Sequence, residues 1–196
     1  MSGRLSEALT GRRLGGALFV LGGIVVAAIV LWPSGDREPS KRGIQPVRLV
    51  SVPQLGIAFA HPRAWSRSIA GRVIRLRSPD RAATLTVASP LAGRHTRQVK
   101  GDLRATLREA LRPAKIVRDG PAKIGRRPAT SFELTGTAAR KPIRMLVLVG
   151  SSRYRTYAIT LLTPRRPSAR RLVEAQQILA TVRLTKPGAA RLPSKR

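Results

Sequence analysis

Residues 142–163, PIRMLVLVGSSRYRTYAITLLT, hold the pattern that decides the fold. Ile143, Met145, Val147 and Val149 fall on one face of an extended segment, and Leu146 and Leu148 fall on the other. Side chains alternate across a strand, so one that is apolar on both faces needs cover on both sides. This segment therefore reads as a central strand. Gly150-Ser151-Ser152 supplies a tight hairpin turn into the next strand, Tyr154–Thr163.

Working outward, residues 72–77 and 83–88 form a second hairpin around Ser78-Pro79-Asp80. Ile74 and Leu76 alternate there with Val73, Arg75 and Arg77, and Leu85 and Val87 alternate with Thr84 and Thr86. Short apolar runs at 47–52 and 56–60, then Lys115–Arg118 and Ala129–Thr137, complete the expected strands. A turn through Trp65 follows His61-Pro62.

Two segments have helical spacing. Val99, Leu103, Leu107, Ala110 and Leu111 share one face of the first, which Pro113 ends. Gly101 costs a helix interior about 1 kcal/mol, so Asp102 is the expected N-cap. The second helix starts near Ser168 and places Leu172, Ala175, Ile178, Leu179 and Val182 together. Strands covered on both sides, with two amphipathic helices, predict an α+β domain: an α/β/α sandwich built on a mostly antiparallel sheet.

Ahead of this domain stands residues 14–32, LGGALFVLGGIVVAAIVLW, a run without charge directly behind Arg12 and Arg13. As a helix it is about 28 Å long, the thickness of a bilayer's hydrocarbon core. Trp32 suits the interface and Pro33 stops the helix. A cleaved signal peptide has a shorter apolar core, about 7–15 residues, and small residues at the cut, which Ile29–Pro33 does not offer. A soluble helix apolar on every face would need protein on every side. The reading is an uncleaved transmembrane anchor. Arg4, Arg12 and Arg13 favour a cytoplasmic segment 1–13 and an external domain at the cell membrane. Residues 33–46, PSGDREPSKRGIQP, read as a linker, 47–185 as the domain and 186–196 as a loose basic tail.

Charge is the other extreme feature: 38 Lys+Arg against 9 Asp+Glu, a formal +29. Such a field attracts anionic lipid, acidic envelope polymers and nucleic acid in a salt-dependent way. Arginine outnumbers lysine as GC-rich coding produces, although coding bias does not account for the shortage of acids. Arg72, Arg75, Arg77 and Arg81 on the first hairpin, with Arg144, Arg153 and Arg155 on the other, are the candidate polyanion contacts. They form one cationic face if the sheet order brings the hairpins together.

The segment Gly56-Ile57-Ala58-Phe59-Ala60-His61-Pro62-Arg63-Ala64-Trp65 resembles the G-x-x-F-x-x-P opening of PsbP-like domains, in which the following turn ends on a buried Trp. Ile124-Gly125-Arg126-Arg127-Pro128-Ala129 is similar to that superfamily's I-G-x-x-P-A approach to a strand. Ile178–Leu184 looks like its terminal helix running into a last short strand. The resemblance covers about residues 47–185. It implies an α/β/α domain that acts by binding, as in extrinsic photosystem proteins, a relative that binds a small GTPase, and bacterial envelope proteins that are often lipid-anchored. It carries over no catalytic residues. This chain lacks the lipid-accepting Cys of the lipoprotein members, and its span would serve as the anchor instead.

Inspection for chemistry points the same way. Cysteine is absent, which removes thiolate catalysis, cysteine metal sites and disulfides. His61 and His95, the two histidines, have no acids at ligand spacing, so no metal or cofactor is expected. His61 reads as a strand-end residue and His95 as a loop residue. Asp80 and Asp119 sit in apparent turns, Glu133 in a strand, and Glu109 and Glu174 on solvated helix faces beside Arg. No G-x-S-x-G elbow or phosphate-binding glycine motif occurs. Phe59, Trp65, Phe132, Tyr154 and Tyr157 are read as core rather than as a stacking platform for single-stranded nucleic acid.

The expected protein is a single-pass, non-catalytic binding domain outside the membrane, acting on an envelope protein or an anionic envelope component. A cytoplasm-facing polyanion or nucleic-acid tether is the alternative, and an envelope hydrolase ranks third.

Overall fold

A computed structural model describes residues 46–91, 95–111 and 113–188. No helix among them is long and apolar enough to cross a membrane. The expected segment 1–13 and span 14–32 lie outside the described residues, as do 33–45 of the linker 33–46 and 189–196 of the tail 186–196.

In chain order the elements are β1 (Val47–Val52), a 3-10 turn (Pro53–Leu55), β2 (Ile57–Pro62), β3 (Ser66–Ala70), β4 (Val73–Arg77), β5 (Thr84–Leu91) and helix α1 (Thr96–Ala110). They continue as β6 (Lys115–Ile124), β7 (Arg127–Ala138), β8 (Lys141–Ser151), β9 (Thr156–Pro164), helix α2 (Ala169–Thr181) and β10 (Arg183–Leu184). The strands divide between two sheets rather than one. A seven-stranded sheet runs β3-β4-β5-β9-β8-β7-β6, and a three-stranded sheet runs β1-β2-β10. Every pairing is antiparallel, so this is an α+β fold of antiparallel sheets with two helices.

The two-faced reading of β8 explains the layering. Its Ile143, Met145, Val147 and Val149 pack with Val99, Leu103 and Leu107 of α1. Its Leu148, with Ile74, Leu76, Leu85, Tyr157 and Ile159, packs under Ala175 and Ile178 of α2 and under Val50, Val52, Ile57 and Phe59 of the small sheet. The large sheet thus has α1 on one face, and α2 and the small sheet on the other.

Two glycines fix how that second layer closes. Gly56 follows the 3-10 turn at φ +64°, and its carbonyl accepts from Thr185 N–H at 2.8 Å; a Cβ there would meet the Thr185 carbonyl at 2.6 Å. Gly125, at φ +57°, turns β6 into β7, and a Cβ would lie 2.0 Å from the Val182 carbonyl. Only glycine fits such approaches in the left-handed region.

Several local expectations are corrected. Helix α1 begins at Thr96, with Gly101 inside it, and His95 at its N-cap makes no side-chain capping bond, so Asp102 is not the cap. Gly150 stands within β8 opposite Ala129, and the turn forms at Ser152, whose N–H donates to the Arg155 carbonyl. Asp119 is not in a turn: it lies in β6 opposite Phe132. Strand β3 directly follows Trp65, in a segment where the sequence pattern marks no element. Ser168 does cap α2, accepting from the Arg171 N–H.

Candidate functional site: a carboxylate-free basic end

The antiparallel strands give the large sheet two ends with different chemistry. At one, the β4–β5 and β7–β8 turns meet the close of β9 and the start of α2. At the other, the β3–β4, β6–β7 and β8–β9 turns meet the start of α1, where Thr96 Oγ1 lies 3.4 Å from Ser151 Oγ.

Two carboxylates, Glu174 and Asp80, gather at the first end. Glu174 and Arg171, both buried, form the centre of a charged cluster at the first. Arg171 Nη1 donates to Glu174 Oε2 at 2.5 Å, and its Nε donates to Asp80 Oδ2 at 2.8 Å. Trp65 Nε1 donates to the same Glu174 oxygen, and Arg170 Nε donates to the other, each at 2.9 Å. Ser78 Oγ donates to Asp80 Oδ1 at 2.5 Å. Burial opposes ionisation of Glu174, but bonds from Trp65, Arg170 and Arg171 and the Arg171 charge outweigh it and hold the carboxyl below its ordinary 4.5. Burial likewise opposes ionisation of Asp80, and Ser78, the Ala82 N–H and Arg171 overcome it. The reading of Glu174 as a solvated face is therefore wrong: its partner Arg171 is bound to an acid 91 residues away. The cluster ties α2 to the β4–β5 turn.

The remaining described acids are Asp102, Glu109, Asp119 and Glu133. Asp119 pairs with Lys100 and with Arg104, the latter at 3.0 Å. Glu133 accepts both Nε and Nη2 of Arg144, the Nη2 bond at 3.1 Å. None of the acids belongs to the three turns of the second end.

Those turns and the strand ends beside them carry Arg72, Lys123, Arg126, Arg127, Arg153 and Arg155, and Arg183 follows the Val182 that closes over Gly125. Pairing of Ala129 with Gly150, and of Gly150 with Tyr157, sets the β6–β7 and β8–β9 tips side by side. Burial pushes the Tyr157 phenol up, while Ser152 and the charges of Arg155 and Arg127 pull it the other way; both arginines thus lie near one buried ring. Tyr157 Oη donates to the Leu55 carbonyl at 2.8 Å. The Arg153 guanidinium stacks on Tyr154, 4.7 Å from the ring centroid.

The seven arginines singled out from sequence do not share one face. Sheet order does bring the two hairpins together, through β5 and β9. Arg153 and Arg155 occupy the basic end, and Arg72 lies at its margin, where its carbonyl accepts from Ser89 N–H at 3.2 Å. Arg75 and Arg77 are half-buried on the same side of β4 as Val73, the α1 side; burial, then the neighbouring Arg77, holds Arg75 below its ordinary value. Arg81 sits at the opposite end, in the β4–β5 turn at φ 56°. Arg144 points to the other face, and its bond to Glu133 raises it above its ordinary value. Lys123, Arg126, Arg127 and Arg183 were missed. For two of them the sequence carries a signal, the pair Arg126-Arg127 directly after a turn glycine. An open cleft of about 700 Å³ at the first end is lined by Lys141, Pro142, Pro164, Arg165 and Arg166.

Histidine chemistry is structural. His61 is buried, its Nδ1 lies 2.8 Å from the Pro62 carbonyl, and its ring packs 6.2 Å from Phe59. Among the described residues no three His, Asp or Glu side chains group to hold a metal.

Cyanobacterial PsbP (CyanoP) from Synechocystis sp. PCC 6803 aligns at TM-score 0.55 and 14% identity, over 76% of this chain and 98% of that one. The fold is PsbP-like. A protein from Bacteroides thetaiotaomicron VPI-5482 aligns at TM-score 0.52 and 13% identity over 70% of this chain, and the match spans about half (48%) of that longer protein. LpqN, involved in cell envelope biogenesis of Mycobacterium tuberculosis, aligns at TM-score 0.47 and 12% identity, over 71% of this chain and 91% of that one. No family model and no curated protein matches the sequence. At these identities the PsbP-like resemblance is one of fold.

Proposed function

We propose that the chain is a single-pass membrane protein whose PsbP-like domain stands outside the cytoplasmic membrane and acts by binding, without catalysis. The partner is an envelope protein or an anionic envelope component. The observation that carries this reading is the basic end: seven cationic side chains on the turns and strand ends at one end of the fold, with no carboxylate on those turns. Exposed cations of this density attract acidic surfaces over about a Debye length and release counterions on contact. They have no base-reading device around them, so they grip charge without reading sequence.

Two measurements on the full chain test it. Protease added to intact spheroplasts should digest the domain beyond residue 33 and spare cytoplasmic controls; protection until lysis favours the cytoplasm-facing tether. In a salt titration with an acidic polymer, affinity should fall steeply from low to physiological salt. Changing Arg126, Arg127, Arg153 and Arg155 to Gln should flatten that dependence, and changing Arg75 and Arg77 should alter it little. Equal loss from both sets, or salt-insensitive binding, defeats the assignment to this end.

A further inference from the structure

The small sheet carries an unexplained surface. Val50, Val52, Ile57, Phe59 and Leu184 point into the core, so strand alternation turns Val47, Leu49, Ala58, Ala60 and Arg183 outward. Val47 is 61% exposed and Leu49 78%, two aliphatic side chains adjacent on one face of an edge strand. An uncovered edge of this kind is an aggregation hazard.

We infer that this outer face rests on the anionic lipid surface of the membrane to which the chain is tethered. The inference rests on the anchored reading above. Three features choose the lipid surface. The first is the origin of the strand: β1 begins at Val47, and Pro46, its carbonyl fixed by the Arg63 N–H at 2.9 Å, is the last residue of the linker from Trp32. Residues 33–46 are few enough that even a full extension of about 50 Å keeps Val47 near the bilayer. The second is charge: Arg63 and Arg183 are exposed beside the aliphatic pair, and β1, β2 and β10 contain no carboxylate. Aliphatic side chains set among cations are the chemistry of an interfacial surface. The third is relief: Ala58 and Ala60 beside Leu49 leave the face shallow, suited to a plane. Two copies packed through this face would instead bring their arginines together.

Because the chain has no cysteine, single Cys variants can each carry one spin label. The full chain is reconstituted in phosphatidylglycerol–phosphatidylcholine vesicles and labelled at Leu49→Cys or at Val117→Cys, an exposed control on β6. Docking requires a label at 49 that collides more with dissolved oxygen than with a water-soluble nickel chelate, and the reverse at 117. Adding Arg63→Gln and Arg183→Gln should return the label at 49 to the aqueous ratio seen at 117. Aqueous ratios at both positions, with the protein retained through an alkaline wash, overturn the docking and leave the anchor standing. Release of the protein by that wash overturns the anchored reading itself. Strong dipolar broadening between labels at 49 replaces lipid with a second copy of the chain and refutes the inference.

Discussion

Trp65 donates its indole N–H to the Glu174 carboxylate at 2.9 Å, across 109 residues of chain, with both side chains buried. The bond joins the turn after β2 to helix α2, so the aromatic anchor of the small layer also serves as a donor to its charged cluster.

Trp65→Ala removes both roles and should destabilise the domain by about 3–5 kcal/mol. Trp65→Phe keeps most of the apolar contact but withdraws one donor from a buried carboxylate, at about 1–3 kcal/mol. Urea unfolding followed by far-ultraviolet circular dichroism separates the two. Equal losses from both substitutions would mean that the hydrogen bond contributes nothing.

The carboxyls of Glu174 and Asp80 ionise more readily folded than their ordinary 4.5 and 3.8. Their contribution to stability is therefore complete above those values and lost as pH falls through the lower folded ones. Glu174→Gln should cost the lower part of about 3–5 kcal/mol at neutral pH, since Asp80 still holds Arg171. The acid limb of its stability profile should also be shallower. An unchanged acid limb would place the titrating groups elsewhere.

His61 titrates the other way round. Burial, with the charges of Arg67 and Arg48, outweighs its bond to the Pro62 carbonyl and holds it below the ordinary 6.5. The folded state binds the proton less well than the unfolded chain, so stability falls as pH drops below about 6.5 and levels off under the folded value. His61→Gln should flatten the profile between neutrality and pH 5, apart from any carboxylate contribution. A persistent slope there would exonerate His61.

Gly125→Ala forces a Cβ against the Val182 carbonyl in the left-handed region, and should cost more than about 2 kcal/mol. Gly120→Ala, in β6 with nothing within 4 Å of its Cβ, should change stability by less than about 0.5 kcal/mol. Thermal unfolding of the pair distinguishes a packing constraint from a general glycine preference.

What could be read from sequence was what neighbours decide. The alternation in β4, β5 and β8 and the Ser168 cap of α2 are local signals, and they marked their elements in advance. Strand β3, Ser66–Ala70, is exposed throughout and carries no apolar period, so only its pairing with β4 defines it. In β6, Asp119-Gly120-Pro121 has turn chemistry, yet an edge strand tolerates Pro because one side of its backbone has no partner strand. Glu174 looked solvated because Arg170 and Arg171 adjoin it, whereas its burial depends on Trp65 and Asp80, both distant in sequence. The basic end was half legible for the same reason: Arg153 and Arg155 stood out, but Arg126 and Arg127 join them only through the β7–β8 register.

Strands β1 and β10, the first and last of the domain, both pair with β2, so the chain enters and leaves through one small sheet. A load applied ahead of β1 meets it at Val47, opposite Pro62, the outermost pair of that ladder. Force normal to the sheet would open these bonds in succession rather than shear them together. Tension sufficient to peel β1 would strip Val50 and Val52 from the core while the seven-stranded sheet stayed closed.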